Sequence, residues 1–189
     1  MVTQPDTVIV YHGTRADPEV IREKGLVIPD PEEIYWETER LRQELMIPEP
    51  PKWAKDLAWG RIRERVAHSA VHATFSKRQA ELYTEMGGEI FSQIAQFLLW
   101  RKYGKYRKPE RQREARRELY DFIRGKDRYV VTLRIPFSWL PSYIQHDHLL
   151  MTSEGEDPST FSWDIPIPHN VSPQYILSIE RTEAPFWHL

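Results

Sequence analysis

The sequence predicts an α+β fold, and three observations support that class. Runs of β-branched and aromatic residues, which favour strands, lie near the start of the chain and again in its last third. Helical patterns occupy most of the chain between them. Strands at both ends indicate that the N-terminal strand pairs within a sheet built mostly from C-terminal strands. With 189 residues, 40% of them hydrophobic, the chain is long enough for one domain with its own core.

The first predicted elements are a strand and a short helix. The strand covers residues 7–11 and leads into a turn at 12–14. The helix is expected next because Asp17 can cap its start, Pro18 suits its first position and Gly25 can end it. The domain therefore opens with a strand, a loop and a helix.

Two helical stretches, at about 30–68 and 89–125, are expected to be elaborations of this single domain. Prolines frame the first stretch, and alternating charges fill much of the second. The individual helices are predicted at 32–45, 53–68, 89–103 and 105–124.

Between these stretches the sequence returns to core elements. Residues 70–75 predict a short strand, and Ser76 begins a helix that continues past Tyr83 to a Gly-Gly break at 87–88. The last third predicts further strands, at 129–136, 142–151, 165–167 and 174–181.

The composition excludes several classes of function. The chain has no cysteine, which rules out disulfides, thiolate metal sites and cysteine nucleophiles. The net charge of −2 gives no overall attraction to nucleic acid or an anionic membrane. Residues 1–7 lack a signal-peptide pattern and no apolar run is long enough to span a bilayer, so we expect a cytoplasmic protein with no membrane partner.

Two groups of histidines have part of a metal-ligand spacing. His68 and His72 are four residues apart, and His146-Asp147-His148 has the composition of a partial site. Neither group has companion ligands in a recognised pattern. We therefore expect no metal site.

Three local patterns occur in order along the chain. They are His12-Gly13-Thr14 after the first strand, Ala80-Glu81-Leu82-Tyr83 on the helix after the strand at 70–75, and two strands joined by a proline-containing turn at 165–180. Together they resemble the core of the ADP-ribosyltransferase superfamily, which includes diphtheria toxin and the poly-ADP-ribose polymerases. The resemblance implies a split antiparallel sheet core with helical insertions, in which the final strand returns beside the strand at 165–167.

The resemblance also implies a site for NAD, which this family uses as a substrate. The backbone of Gly13 would pair with the nicotinamide carboxamide, His12 would bond a ribose hydroxyl and the ring of Tyr83 would stack on nicotinamide. These residue types suit those roles, because glycine admits close backbone approach and an aromatic ring attracts a planar cation.

Three more residues complete the predicted NAD-binding set. Thr14 and Arg15 would meet the adenosine or the phosphates, since arginine makes bidentate contacts with phosphate oxygens. Ser76 begins the helix that bears Tyr83. The commoner role of Tyr83 on such a helix is packing against the core.

Catalytic family members carry a glutamate at the start of the strand before the final turn, where it stabilises the oxocarbenium-like centre. Here that position falls on Asp164 or on Ser162, depending on the strand register. We favour Asp164, because its carboxylate places negative charge near the developing positive charge. Ser162 would imply weak catalysis, a different reaction or none.

Acceptor recognition has an acidic candidate. Glu154 and Glu156 lie just upstream, where some family members place a substrate-recognising turn, although a solvated loop is the usual role of such charges.

The resulting functional hypothesis is NAD-dependent mono-ADP-ribosyl transfer to a macromolecular acceptor, either protein or nucleic acid, with release of nicotinamide. One alternative is an RNA 2′-phosphotransferase of related fold, with basic residues at 101–117 facing RNA phosphate. Another is a module that keeps the fold and binds NAD, ADP-ribose or a protein without catalysis.

Overall fold

The computed structural model describes most of the core and parts of the predicted elaborations. The described residues are 4–28, 30–44, 70–85 and 127–183, together with single positions between 49 and 63.

The chain divides into two compact units. The first comprises Met1–Ile28, Ala70–Gly88 and Asp127–Leu189. The second comprises Pro29–Ser69 and Glu89–Lys126. The described strands all belong to the first unit, so that unit is where the candidate site is sought.

The described strands form two antiparallel sheets. The strands are β1 (Thr7–Thr14), β2 (Val71–Ala73), β3 (Tyr129–Pro136), β4 (Ile165–Ile167) and β5 (Ile176–Arg181). One sheet has the order β1-β3-β5 and the other pairs β2 with β4. This mixed α/β structure agrees with the α+β class predicted from the sequence, and the strands predicted at 129–136 and 165–167 are confirmed.

The described helices are α1 (Pro18–Lys24), α2 (Pro31–Glu44), α3 (Lys77–Glu85) and α4 (Ser142–Glu154). The predicted ends of α1 are confirmed. The Asp17 side chain accepts a hydrogen bond from the Glu19 N–H, and the Gly25 N–H donates to the Ile21 carbonyl at a φ of 81°. α2 lies in the second unit and confirms the helix predicted near 32–45.

The core of the first unit joins the two sheets. On β1 and β3, Val8 lies opposite Ile135 and Val10 opposite Leu133, and all four are buried. Burying such a side chain contributes about 1.5–3 kcal/mol. The same core cluster includes apolar residues of the second sheet and of the segments around it, namely Val71, Ala73, Ile165, Ile167, Ile21, Phe137, Leu140 and Ile144.

The strand predicted at 142–151 is wrong, because these residues form α4. Ile144 and Met151 are its buried residues, and their separation of two helical turns places them on one face. Gly155 ends the helix at a φ of 79°, a left-handed conformation that favours glycine. This stop signal and the helical spacing outweigh the β-branched and aromatic content of the segment.

The turn predicted at 12–14 is also wrong, because β1 continues to Thr14. Its last residues stay in register with β3, where Gly13 lies opposite Val130 and Thr14 opposite Tyr129. A long partner strand therefore compensates for the weak strand propensity of glycine.

The expected return of the final strand beside β4 is likewise wrong. β4 pairs with β2, whereas β5 pairs with β3 in the other sheet. Between them Val171 bonds to Leu26 through both backbone groups, at 2.8 and 2.9 Å, and Pro173–Tyr175 forms a 3₁₀ turn. The segment that makes these bonds connects one sheet to the other. Because the 3₁₀ turn occupies residues 173–175, β5 begins at Ile176 rather than at the predicted residue 174.

Other predictions lie outside the described residues. They are the helices at 89–103 and 105–124 and most of the helix at 53–68. None of the helices in the described parts of the chain has the length and apolar character needed to span a bilayer.

Candidate functional site

The two sheets approach each other at an isolated bridge between Tyr11 on β1 and Thr74 after β2. Each residue donates its N–H to the carbonyl of the other, at 2.8 and 2.9 Å. In a regular antiparallel ladder the next pair of this kind would be Gly13 with His72. That pair does not form, so the sheets separate beyond Tyr11.

The side chain of His12 lies at this separation. Its Nδ1 is 2.7 Å from the carbonyl oxygen of His72, the group that a continued ladder would have offered to Gly13. Because a carbonyl only accepts, Nδ1 carries the hydrogen, and in the neutral ring Nε2 is then an acceptor. In the neutral ring, the nitrogen of His12 that is left for a ligand therefore accepts a hydrogen bond.

Desolvation favours the neutral form of the His12 ring. It lowers the pKa of His12, the bond to the His72 carbonyl raises it, and the nearby imidazole of His72 lowers it. The hydrogen bond to the carbonyl thus sets the tautomer, and the surroundings disfavour the charged ring.

Gly13 directs its backbone groups into the same separation. Backbone N–H and C=O directions alternate along a strand, so those of Gly13 point to the same edge as those of Tyr11, away from β3. The other side of Gly13 faces α3, where an added Cβ would lie 2.0 Å from the carbonyl oxygen of Ala80. Gly13 thus serves two purposes, because it admits the helix and leaves a donor and an acceptor at the sheet edge.

α3 places Tyr83 at the site through Gln79, one turn earlier on the helix. The Nε2 of Gln79 donates to the Tyr83 hydroxyl and to the Ser162 hydroxyl, each at 2.7 Å. The Oε1 accepts from the Thr74 hydroxyl at 2.8 Å and from the Trp163 N–H at 3.2 Å. Gln79 therefore connects the end of β2, the helix and the segment before β4.

Tyr83 is half-buried rather than packed fully into the core. Desolvation raises the pKa of its phenol, the hydrogen bond from Gln79 lowers it, and the negative charge of Asp164 raises it. The phenol is therefore within electrostatic reach of Asp164, which places the predicted stacking residue and the predicted acid in one region.

Asp164 pairs with His72 rather than standing alone. Its Oδ1 lies 2.7 Å from the His72 Nδ1, and the two side chains are 60% and 39% exposed. Asp164 and Ser162 lie just before β4 and are both exposed, whereas Trp163 between them packs against the core. The two candidate acid positions thus differ in partner, His72 for Asp164 and Gln79 for Ser162.

The other predicted NAD-binding residues have local structural bonds. The Thr14 hydroxyl accepts from the Ala16 N–H at 3.1 Å, and the Arg15 Nε donates to the Thr84 carbonyl at 2.7 Å, near the C-terminal end of α3. The Ser76 hydroxyl accepts from the N–H of Gln79 at 3.4 Å, at the start of α3. The bonds of Arg15 and Ser76 hold the helix that bears Tyr83, and the bond of Thr14 is local to the loop after β1.

Glu154 and Glu156 flank the end of α4. Glu154 is the last helical residue rather than part of a loop, and the Glu156 N–H donates to the Met151 carbonyl at 2.9 Å. Both glutamates are exposed, and among the described residues no hydrogen bond joins either one to Asp164. Acceptor recognition by this pair stays a prediction.

Sequence reasoning missed the roles of Gln79 and His72. Gln79 had a usable signal, because it lies four residues before Tyr83 and side chains at that spacing meet on a helix. His72 gave no such signal, since its partners Asp164 and His12 are 92 and 60 residues away in sequence. Within the described part of the chain, no group of three or more His, Cys, Asp or Glu residues could hold a metal ion.

Comparison with protein-family models, with curated proteins and with solved structures gives no match.

Proposed function

We propose that the chain is an NAD-dependent ADP-ribosyltransferase, which releases nicotinamide and transfers ADP-ribose to a macromolecular acceptor. The observation that supports this proposal is the separation of β1 from β2 at Gly13. His12 lies beside that point and bonds the His72 carbonyl, His72 pairs with Asp164, and Tyr83 is within electrostatic reach of Asp164, although these residues come from distant parts of the sequence.

Recognition of nicotinamide follows from the groups at the sheet edge. A carboxamide has one acceptor and one donor on adjacent atoms, and the Gly13 N–H and C=O complement them. The Tyr83 ring would stack on the nicotinamide, whose positive charge an aromatic face attracts. The neutral His12 ring would accept a ribose hydroxyl at Nε2, since Nδ1–H is committed to the His72 carbonyl.

The chemistry assigned to Asp164 is electrostatic. The bond between the nicotinamide nitrogen and the anomeric carbon breaks, and its electron pair goes to the nicotinamide ring. The ribose centre becomes positively charged, and a fixed carboxylate stabilises that charge. The acceptor then bonds to the anomeric carbon and loses its proton. His72 holds the Asp164 carboxylate in place through the 2.7 Å contact.

The test is nicotinamide release from NAD by the purified chain, followed over time with and without a cell lysate. In the lysate, label from adenine-labelled NAD should become covalently attached to an acceptor. His12→Ala and Asp164→Asn should each reduce release at least about tenfold, a loss typical of an electrostatic contact in a transition state.

Matched controls come from α4. His146 and Asp147 are the same residue types on a helix, and neither belongs to the site. His146→Ala and Asp147→Asn should keep the wild-type rate. A folded wild type that releases no nicotinamide in either condition would remove the transferase proposal.

The second candidate is an NAD-binding module without catalysis. The pairing of Asp164 with His72 favours it, because a carboxylate oxygen that already contacts the His72 ring is less available to an oxocarbenium centre. Calorimetric binding of NAD without nicotinamide release would support this candidate.

The RNA 2′-phosphotransferase alternative depends on basic residues at 101–117, which lie outside the described residues. It stays a prediction, and it is tested by loss of a 2′-phosphate from synthetic RNA in the presence of NAD.

A further inference from the structure

We propose that Gln79 is a positioning residue, which holds the Tyr83 phenol and the segment 162–164 in one fixed arrangement. The inference deepens the proposed function and rests on it, because it concerns the two sides of the same NAD site. Its structural part can be tested without NAD.

The carboxamide of Gln79 makes every hydrogen bond open to it. A glutamine side chain has two N–H donors and an oxygen with two lone pairs. Here the donors go to Tyr83 and Ser162, and the lone pairs accept from Thr74 and Trp163. A side chain with four bonds of this kind has one orientation.

The direction of that amide is fixed by its partners. The Trp163 backbone N–H can only donate, so it must face Oε1 rather than Nε2. The Thr74 hydroxyl, which is fully buried, accepts a hydrogen bond from the Ser76 N–H at 3.3 Å and donates its own hydrogen to the Gln79 Oε1. Nε2 is thereby directed at Tyr83 and Ser162.

These bonds connect a helix and a loop that lie against different strands. α3 packs on β1 through Gly13 and Ala80, whereas residues 162–164 lead into β4, which pairs with β2. The two sheets separate beyond the bridge from Tyr11. Gln79 therefore spans the separation and sets the distance between the Tyr83 ring and residues 162–164, which we call the acid segment.

The acid segment has a second attachment that limits how it can move. The Trp163 indole donates to the Pro158 carbonyl at 2.9 Å and packs edge-on against Phe75. Loss of Gln79 would free Ser162 and the Tyr83 phenol while Trp163 stays anchored. The expected defect is thus local to the site.

The decisive experiment is a double-mutant cycle between Gln79 and Tyr83, with NAD affinity measured by calorimetry. Gln79→Met removes all four bonds while keeping the length of the side chain and its suitability for a helix. It should weaken NAD binding about tenfold in the wild-type background. In a Tyr83→Phe background the same change should weaken binding less than in the wild-type background, because the Tyr83 partner is already absent and only the bonds to Thr74, Ser162 and Trp163 are lost.

The matched control is Gln145→Met. Gln145 also lies on a helix, and its Nε2 donates to the Leu140 carbonyl at 2.7 Å, outside the site. Its NAD affinity should equal that of wild type. An equal loss from Gln79→Met in both backgrounds would overturn the inference, and so would no loss in either. If Gln79→Met does not fold, Gln79→Ala takes its place with the same expected results.

A readout without NAD separates this inference from the proposed function. The Tyr83 phenol can be titrated by ultraviolet absorption, with Tyr83→Phe as the subtracted reference. Gln79→Met should raise the pKa of Tyr83, because the donated hydrogen bond from Gln79 stabilises the phenolate. A wild type that fails to bind NAD removes the proposed function. An unchanged Tyr83 pKa in Gln79→Met overturns the positioning role.

Discussion

His12 donates its Nδ1–H to the backbone carbonyl of His72, 60 residues later in the chain, over 2.7 Å. This bond stands where the antiparallel ladder between β1 and β2 would otherwise have continued. The His12 side chain satisfies the His72 carbonyl, and the N–H and C=O of Gly13 stay at the edge of β1. The bond from His12 to His72 therefore stands at the point where β1 and β2 separate.

The first prediction concerns the stability of this contact. His12→Ala leaves the half-buried His72 carbonyl without its donor, which should lower the free energy of unfolding by about 1–3 kcal/mol. Urea unfolding at neutral pH measures the difference. The exposed His146 serves as the control, and His146→Ala should change stability by less than about 0.5 kcal/mol. Equal effects of the two changes would contradict the role of this bond.

The second prediction concerns the packing of α3 on β1. In Gly13→Ala the new methyl group would lie 2.0 Å from the Ala80 carbonyl oxygen, so the helix must move. The free energy of unfolding should fall by about 1–3 kcal/mol, as overpacking usually costs. NAD affinity should fall with it, since α3 bears Tyr83. Denaturant unfolding and calorimetry measure both effects.

Gly60 provides the matched control for that change. It lies in a helical position, and no atom of the described residues lies within 4 Å of an added Cβ. Gly60→Ala should therefore keep or slightly raise stability, by up to about 1 kcal/mol. A Gly13→Ala variant as stable as wild type would show that α3 does not pack on Gly13 as described.

The third prediction is a loss of stability in mild acid. Burial lowers the pKa of both His12 and His148, so the folded chain binds fewer protons than the unfolded chain. Their contribution is therefore complete above the ordinary histidine pKa of about 6.5. It is lost as the pH falls below that value. Urea unfolding between pH 7.5 and pH 5, an interval set to bracket roughly pH 6.5, should show the decline.

His148 allows that prediction to be tested by substitution. Its ring lies 5.1 Å from Phe75 and 5.4 Å from Phe137, and its buried Nδ1 has no hydrogen-bond partner among the described residues. His148→Leu should reduce the decline in stability toward acid pH while keeping stability near pH 7.5, roughly one unit above the ordinary histidine pKa. The exposed His169 is the control. An unchanged pH profile in His148→Leu would assign the decline to other groups.

The fourth prediction distinguishes the two possible acid positions. If Asp164 stabilises the oxocarbenium centre, Ser162→Ala keeps most of the nicotinamide release and Asp164→Asn loses it. Because the Asp164 side chain is 60% exposed, Asp164→Asn should leave stability nearly unchanged. A Ser162→Glu variant that releases nicotinamide faster than wild type would instead place the stabilising acid at residue 162.

Local elements were predictable because their signals are local. Asp17, Pro18 and Gly25 marked both ends of α1, and the β-branched run at 129–136 gave β3 its observed bounds. The strand wrongly predicted at 142–151 could have been recognised as a helix from a local signal, since Gly155 is a recognisable helix stop. The turn predicted at 12–14 failed for a different reason. A glycine ends a strand only when no partner strand continues beside it, and β3 continues.

The sequence patterns named candidate site residues one by one and gave no arrangement. The sequence patterns selected His12, Gly13, Tyr83 and Asp164, and the structure brings them to the same region. The bonds of Gln79 to Ser162 and Trp163 span 83 and 84 residues, so no spacing along the chain could indicate them.

The sequence alone determined the α+β class, the ends of α1, the bounds of β3 and the residue types at the site. These depend on backbone preferences and on periodic burial, which act over a few residues. Tertiary structure decided where β1 and β2 separate, which nitrogen of His12 carries the hydrogen, and that His72 and Gln79 hold the site together. Those features depend on which donors and acceptors meet across the fold, and the strand pairing sets that geometry.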